Sequence, residues 1–175
     1  MSDLKVNEVK TDIIKNQAGT SAITINAGGV ISQPNKPMFK ATGPENTSLA
    51  NNTWTKAQFN SEVFDVGSYY DTSNYRYTPL VAGKYLIYGR AFISYGSDGL
   101  NAVRIAIYKN GSQDATFNRY SSGSSPLYGS VQVQALLDFN GSSDYAEIYV
   151  RAFTSSDAFY NLNYIHGEFS GYLLG

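Results

Sequence analysis

The chain has one histidine, His166, among 175 residues, and a hydrolytic reading would have to start there. A catalytic histidine needs a nucleophile and an orienting acid within hydrogen-bond reach. No nucleophile-elbow sequence accompanies it, so His166 is read as a structural or surface residue, its ring small enough to sit half-buried beside Phe169. Hydrolysis of a glycosidic bond would need a carboxylate pair, and no such signature is present. Asp65, Asp71, Asp138 and Asp144 fall at turn edges, where aspartate usually caps and turns the backbone. Calcium is the ion that loop carboxylates and carbonyls would suit. Asp98, Asp138, Asp144 and Asp157 are isolated, however, with no DxDxDG-like spacing, and neither a metal nor a cofactor is expected. No glycine cluster opens a helix in the manner of a phosphate-binding loop.

Recognition chemistry is better represented. Two segments set aromatics beside Asn and Asp: Tyr69 to Tyr75, and Ser155 to Tyr164. A flat apolar ring next to hydrogen-bonding groups suits a sugar. The candidate contacts are Tyr69, Tyr70, Asn74, Phe159, Tyr160, Asn161 and Tyr164. The competing reading is that these rings pack within sheet edges or against a neighbouring subunit.

Composition narrows the class. The net charge of −1 gives no electrostatic case for nucleic acid. With 0 cysteines there is neither a disulfide framework nor a thiolate zinc site. The opening MSDLKVNEVKTDIIKN carries charges throughout, so no signal peptide is read. No stretch approaches the roughly 20 apolar residues that span a bilayer, and membrane insertion is not expected. Charged residues make up only 15% of the chain, against the usual ~25%. The 15 tyrosines therefore have to serve a core, subunit contacts, or both.

The elements that would position these residues are strands. Up to Pro37 the chain has scattered Val and Ile but few aromatics, too little to bury a core alone. Ala22–Asn26 reads as a strand ending in a glycine turn. A helix over Asp3–Lys15 is conceivable, but Val, Thr and Ile form helices poorly, and an extended segment packed on partner chains is the preferred reading. The boundary is Gln33-Pro34-Asn35-Lys36-Pro37, giving an attachment segment over 1–36 and a head domain over 37–175. Period-2 patterns then recur between turn signals. Strands are read at Met38–Ala41, Trp54–Phe59, Lys84–Ser94, Ala102–Lys109, Gln113–Tyr120, Leu127–Phe139, Tyr145–Thr154 and Glu168–Leu174. Asn110-Gly111 is a strong hairpin turn, and Ser121–Ser125 reads as a loop. Lys84–Ser94 is apolar on both faces, with Tyr85, Ile87, Gly89 and Ala91 on one and Leu86, Tyr88 and Phe92 on the other. Such a strand belongs inside a sandwich or at a subunit contact. Many short strands at hairpin spacing mean an all-β sandwich or jelly roll.

Four phrases carry a family resemblance, in order: Met38-Phe39-Lys40-Ala41; Tyr77-Thr78-Pro79 followed by Gly83-Lys84-Tyr85; Tyr108-Lys109-Asn110-Gly111; and Phe169-Ser170-Gly171-Tyr172-Leu173 at the chain end. Together they resemble the globular head of complement component 1q, a trimeric jelly roll related to the tumour necrosis factor fold. The match covers roughly Pro37 to Gly175. The phrases NTWTK and YDTSNYRYTP look like the variety in virion proteins of tailed bacteriophages, and LKVNEVKTDIIKNQAGTSAITINAGGV looks like a phage-fibre attachment segment. There are departures. Ile87 stands where the family often has an aromatic, Asn140–Ala146 is longer than the usual turn, and no collagen-like stalk is present.

The resemblance implies a homotrimer with one sheet facing a three-fold axis. Phe39, Tyr85, Phe169 and Tyr172 are the candidate trimer contacts. It further implies a non-enzymatic virion protein assembled in the host cytoplasm, either a head fibre or decoration or a tail-fibre tip. Its first segment would contact other virion proteins and its head could meet a host-surface glycan. The alternative class is a soluble lectin-like module that binds carbohydrate or protein outside any virion.

Overall fold

The computed structural model describes residues 11–95, 100–120, 129–154, 158–163 and 165–175. Among them every regular element is a strand. The chain divides into two compact units, Met1–Lys36 and Pro37–Gly175.

In the first unit, β1 (Ile13–Lys15), β2 (Ser21–Ile25) and β3 (Ile31–Ser32) form an antiparallel sheet in chain order. Asparagines build its turns. Asn16 Oδ1 accepts from Thr20 N–H, and Asn26 Oδ1 accepts from both Gly28 and Val30 N–H, each at 2.9 Å. This is the local backbone bonding that suits Asn to turns. Ile13, Ile14, Val30 and Ile31 remain exposed. So short a sheet buries little apolar surface by itself. Of the helix considered over Asp3–Lys15, residues 3–10 lie outside the described residues, and Ile13–Lys15 is strand.

In the second unit the strands are β4 (Met38–Thr42), β5 (Thr47–Leu49), β6 (Thr55–Lys56), β7 (Ser61–Val66), β8 (Tyr70–Asp71) and β9 (Arg76–Tyr77). They continue with β10 (Gly83–Tyr95), β11 (Leu100–Lys109), β12 (Ser112–Tyr120), β13 (Gly129–Phe139), β14 (Ala146–Thr154), β15 (Ala158–Asn161) and β16 (Glu168–Leu173). One sheet runs β5-β15-β10-β16-β4-β7, with β13 on the other side of β10. The second runs β12-β11-β14-β9-β8, with β6 also on β14. The long β10 is the hinge of this arrangement. One edge pairs with β13 from Gly83 to Ile93, and the other takes β16 and then β15.

Alternation decides which side chains meet between the sheets. β10 buries Tyr85, Ile87, Ala91 and Ile93, β13 buries Val131, Val133, Leu137 and Phe139, and β11 and β14 answer with Val103, Ile105, Ile107, Ile148 and Val150. At one end the filling is aromatic. The Phe39 ring stacks 4.0 Å from Tyr77 and 5.1 Å from Tyr70, and meets Phe169 edge-on at 4.9 Å. Tyr85 meets Phe139 edge-on at 5.2 Å. Each such pair contributes about 0.5–1.5 kcal/mol beyond its burial. Gly171 permits this packing: a Cβ there would lie 2.6 Å from Ile87 Cδ1 and 3.0 Å from Phe39 Cε1. The β11–β12 hairpin turns at Asn110-Gly111 with φ of 51° and 77°, the left-handed pair of a type I′ turn.

Several elements differ from the sequence reading. Of the strand read over Trp54–Phe59, the structure forms only the two-residue strand Thr55–Lys56, with Ala57 N–H also donating to the Ile148 carbonyl. β5, β7, β8, β9 and β15 are additional strands, three of them of two or three residues, too short for a period-2 pattern to register. Ser121–Ser125 and the first two residues of the strand read from Leu127 lie outside the described residues.

Candidate functional site

The two aromatic segments fare differently. In the first, β8 and β9 form a hairpin whose turn is organised by Asp71. Its carboxylate accepts from Ser73 N–H at 2.8 Å, Ser73 Oγ at 2.6 Å and Asn74 Nδ2 at 2.6 Å. These bonds, Ser73's foremost, hold the Asp71 carboxyl down to a pKa of about 2. Asn74 is exposed. Tyr69 is half-buried and, with Asp71 and Leu80, lines a shallow pocket of about 320 Å³. Tyr70 borders the same pocket but is only 7% exposed. Its ring is packed on Phe39, its hydroxyl donates to the Phe59 carbonyl at 2.7 Å, and burial raises its pKa.

The second segment is corrected more strongly. Ala158–Asn161 is not an open loop but β15, held between β5 and β10. Tyr160 alternates inward and is fully buried, and Asn161 is buried with its Oδ1 accepting from Asn46 N–H at 2.7 Å. Phe159 is half-buried, and Tyr164 lies outside the described residues. Burial raises the Tyr160 phenol pKa, with a smaller contribution from Tyr75 of the first segment.

The four residues read as trimer contacts also separate. Phe39, Tyr85 and Phe169 are at most 1% exposed within one chain. They fill the space between the sheets and cannot also be interface side chains. Tyr172 points the other way and is 45% exposed. It belongs to a row read straight from the strand registers: Leu136 opposite Leu86, Leu86 opposite Tyr172, Tyr172 opposite Met38, and Met38 opposite Val66. Residues opposite one another share a face, so five strands carry one apolar line on the outer face of the seven-stranded sheet. Leu136 is its most exposed member, at 69%. Lys40–Glu168 and Lys84–Asp138 ion pairs, each 3.0 Å, lie on the same strands. The outward set of Lys84–Ser94 already held Leu86. Leu136 was missed because its neighbours on that face, Gln132 and Gln134, make the strand look polar outside.

His166 is half-buried with its ring 4.9 Å from Phe92 rather than beside Phe169. Its backbone N–H donates to Asn163 Oδ1 at 3.0 Å, and among the described residues no hydroxyl or carboxylate partners the ring. Asp65 accepts from Tyr70 N–H, Asp138 pairs with Lys84, and Asp144 accepts from Asn110 and pairs with Lys109. Asp98 and Asp157 lie outside the described residues. Among the described residues no three acidic or histidine side chains gather as metal ligands, and no helix is long and apolar enough to cross a membrane.

Neither a protein-family model nor a curated protein sequence matches the chain. Solved structures do. The globular domain of zebrafish complement 1qA is 18% identical with a TM-score of 0.52, covering 80% of this chain and 98% of that one. Murine APRIL at pH 5.0 is 14% identical with a TM-score of 0.60, covering 79% and 99%. The PRD1 vertex protein P5 is 12% identical with a TM-score of 0.56, covering 80% and 98%. The fold is thus an all-β jelly-roll sandwich of the complement 1q and tumour necrosis factor type.

Proposed function

We propose that this chain is a non-enzymatic structural protein of a bacteriophage particle that acts as a homotrimer, as a head fibre or decoration or as a tail-fibre tip. The observation that carries the reading is the apolar row Leu136–Leu86–Tyr172–Met38–Val66 on an outer sheet face. Inner side chains already have their core, so an outer line of this length is best accounted for by a second copy of the chain. The likeness to a vertex protein supports the particle setting. The first unit, with its exposed isoleucines, is the part that would dock on other virion proteins, leaving the head to face outward toward a host surface.

The experiment is light scattering at micromolar concentration on the wild type and on Leu136→Asp and Tyr172→Asp. The wild type should weigh three chains and each variant one, with unchanged far-ultraviolet circular dichroism. A monomeric wild type, or trimeric variants, would refute the interface. A lectin-like module outside any virion is the second reading, favoured by the open pocket beside Tyr69. It keeps the trimer, but the protein would then be absent from purified particles.

A further inference from the structure

The outer face of the six-stranded sheet carries a different chemistry. β11 and β14 set Arg104 directly opposite Arg151, and like charges so opposed repel. Each guanidinium carbon lies 4.7 Å from the centre of the Phe153 ring. That ring attracts both cations and neutralises neither. Arg104 donates to the Tyr120 hydroxyl at 2.9 Å, and Arg151 donates to Asn52 Oδ1. The Nε atoms of both are shielded from water and have no acceptor among the described residues.

Five other cations of the domain are treated differently. Lys40, Lys56, Arg76, Lys84 and Lys109 each lie within 3.0 Å of a carboxylate. Among the described residues no carboxylate pairs with Arg104 or Arg151. Beside them stands Trp54, its ring 5.8 Å from the Arg151 guanidinium. It is the one tryptophan of the chain.

We propose that this face binds a carboxylated sugar of an acidic polysaccharide. The carboxylate lies between Arg104 and Arg151, and the apolar face of the pyranose lies against Trp54. The planar guanidinium fork matches a carboxylate bidentately and stacks on rings as an ammonium does not. An anion between the two arginines removes the repulsion that the strand register imposes. Asn52 and the exposed Tyr120 hydroxyl are placed to bond ring hydroxyls. A bare phosphate would meet the arginines but leave Trp54 unused, and a neutral sugar would leave the two charges opposed. The chain's overall charge of −1 argues against a general polyanion surface. The site lies on the other sheet from the apolar row, and its test is independent of the particle reading.

The test titrates the whole chain with tetragalacturonate, sialyllactose and a hyaluronan tetrasaccharide. Trp54 fluorescence reports the binding and calorimetry gives the affinity. Neutral galactotetraose, lactose and inorganic phosphate are the controls. At least one carboxylated sugar should bind saturably, with the neutral sugars and phosphate about tenfold weaker or worse. Arg104→Gln and Arg151→Gln should each weaken binding about tenfold, the loss of a charge-assisted hydrogen bond. Their thermal midpoints should stay level or rise, because repulsion is relieved. Arg151→Lys should weaken binding as well. The proposal is overturned by any one of these results: no saturable binding of any carboxylated sugar, equal binding of a neutral sugar or phosphate, full affinity in both glutamine variants, or lowered midpoints in both, which would make the pair structural.

Discussion

Glu147→Gln should be among the most destabilising single-atom-scale changes in the domain. Glu147 is 2% exposed and sits on β14, facing away from the core. Lys56 Nζ approaches its Oε1 at 2.7 Å, and Arg76 reaches the same atom at 2.8 and 2.9 Å through two nitrogens. Arg76 is itself stacked 3.6 Å from the centre of the Tyr145 ring, so it cannot swing out without losing that contact. Glutamine keeps the shape but removes the charge that both cations face. Breaking a buried ion pair costs about 3–5 kcal/mol. Lys56 and Arg76 are 29% and 34% exposed, so water compensates part of the loss and about 2–3 kcal/mol remains. For a domain of this size that lowers the thermal midpoint by roughly 6–12 °C. The assay is a thermal melt of wild type and variant followed by circular dichroism. A second variant separates charge from packing. Glu147→Met together with Lys56→Met and Arg76→Met removes the whole network and should recover much of the loss. A shift below about 2 °C in Glu147→Gln would mean that the two cations are solvated without Glu147, and the reasoning would fail.

The other expectations are briefer. Gly171→Ala should destabilise by about 1–3 kcal/mol through overpacking, because the new methyl group meets Ile87, Phe39 and the Leu86 carbonyl; an unchanged denaturant midpoint would count against it. Asp71 has a folded pKa of about 2, below the ordinary value near 3.9. The turn it organises is therefore fully stabilised above about pH 4 and loosens as pH falls through about 2; amide exchange at Ser73 and Asn74 should show this, and titration of Asp71 near pH 4 would contradict it. A chain beginning at Pro37 should keep the strand signature and the oligomeric mass of the full protein but no longer enter particles. Normal incorporation would make the head itself the docking part.

Which residues were legible in the sequence follows from how far each signal reaches. Long alternating strands such as β10, β11 and β13 announce themselves, because period 2 is a local property and each turn residue beside them has its own reason, as at Asn110-Gly111. Alternation also separates two faces, but it cannot say which face is inside. Tyr85 and Phe169 looked like interface residues on the same terms as Tyr172. Only the registers of β10, β16 and β4 place the first two in the core and the third outside. The Tyr160 segment misled for a related reason. Aromatics mixed with Asn and Asp look like a binding loop, yet pairing of Tyr160 with Ile93 and of Ala158 with Leu49 makes it a strand. Long-range pairings of this kind leave no local trace. Arg104 and Arg151 are 47 positions apart, the difference of their residue numbers, and nothing in either neighbourhood shows that they stand opposite one another.

The two outer faces follow from a core that is complete without them. Between the sheets, aromatic and branched residues fill the space from within one chain, down to the glycine that lets Phe39 approach β16. Side chains on the outer faces therefore carry no duty in closing that core, and their chemistry can differ from sheet to sheet. On the seven-stranded sheet it is an apolar line with ion pairs on the same strands. On the six-stranded sheet it divides again: Glu147 draws Lys56 and Arg76 into a closed network, whereas Arg104 and Arg151, farther along β11 and β14, are given rings, a hydroxyl and an amide oxygen but, among the described residues, no acid. The same sheet thus shows how this domain treats a cation that serves structure. Beside that network the pair stands out, because the carboxylate that Glu147 gives to Lys56 and Arg76 has no counterpart at Arg104 and Arg151 among the described residues.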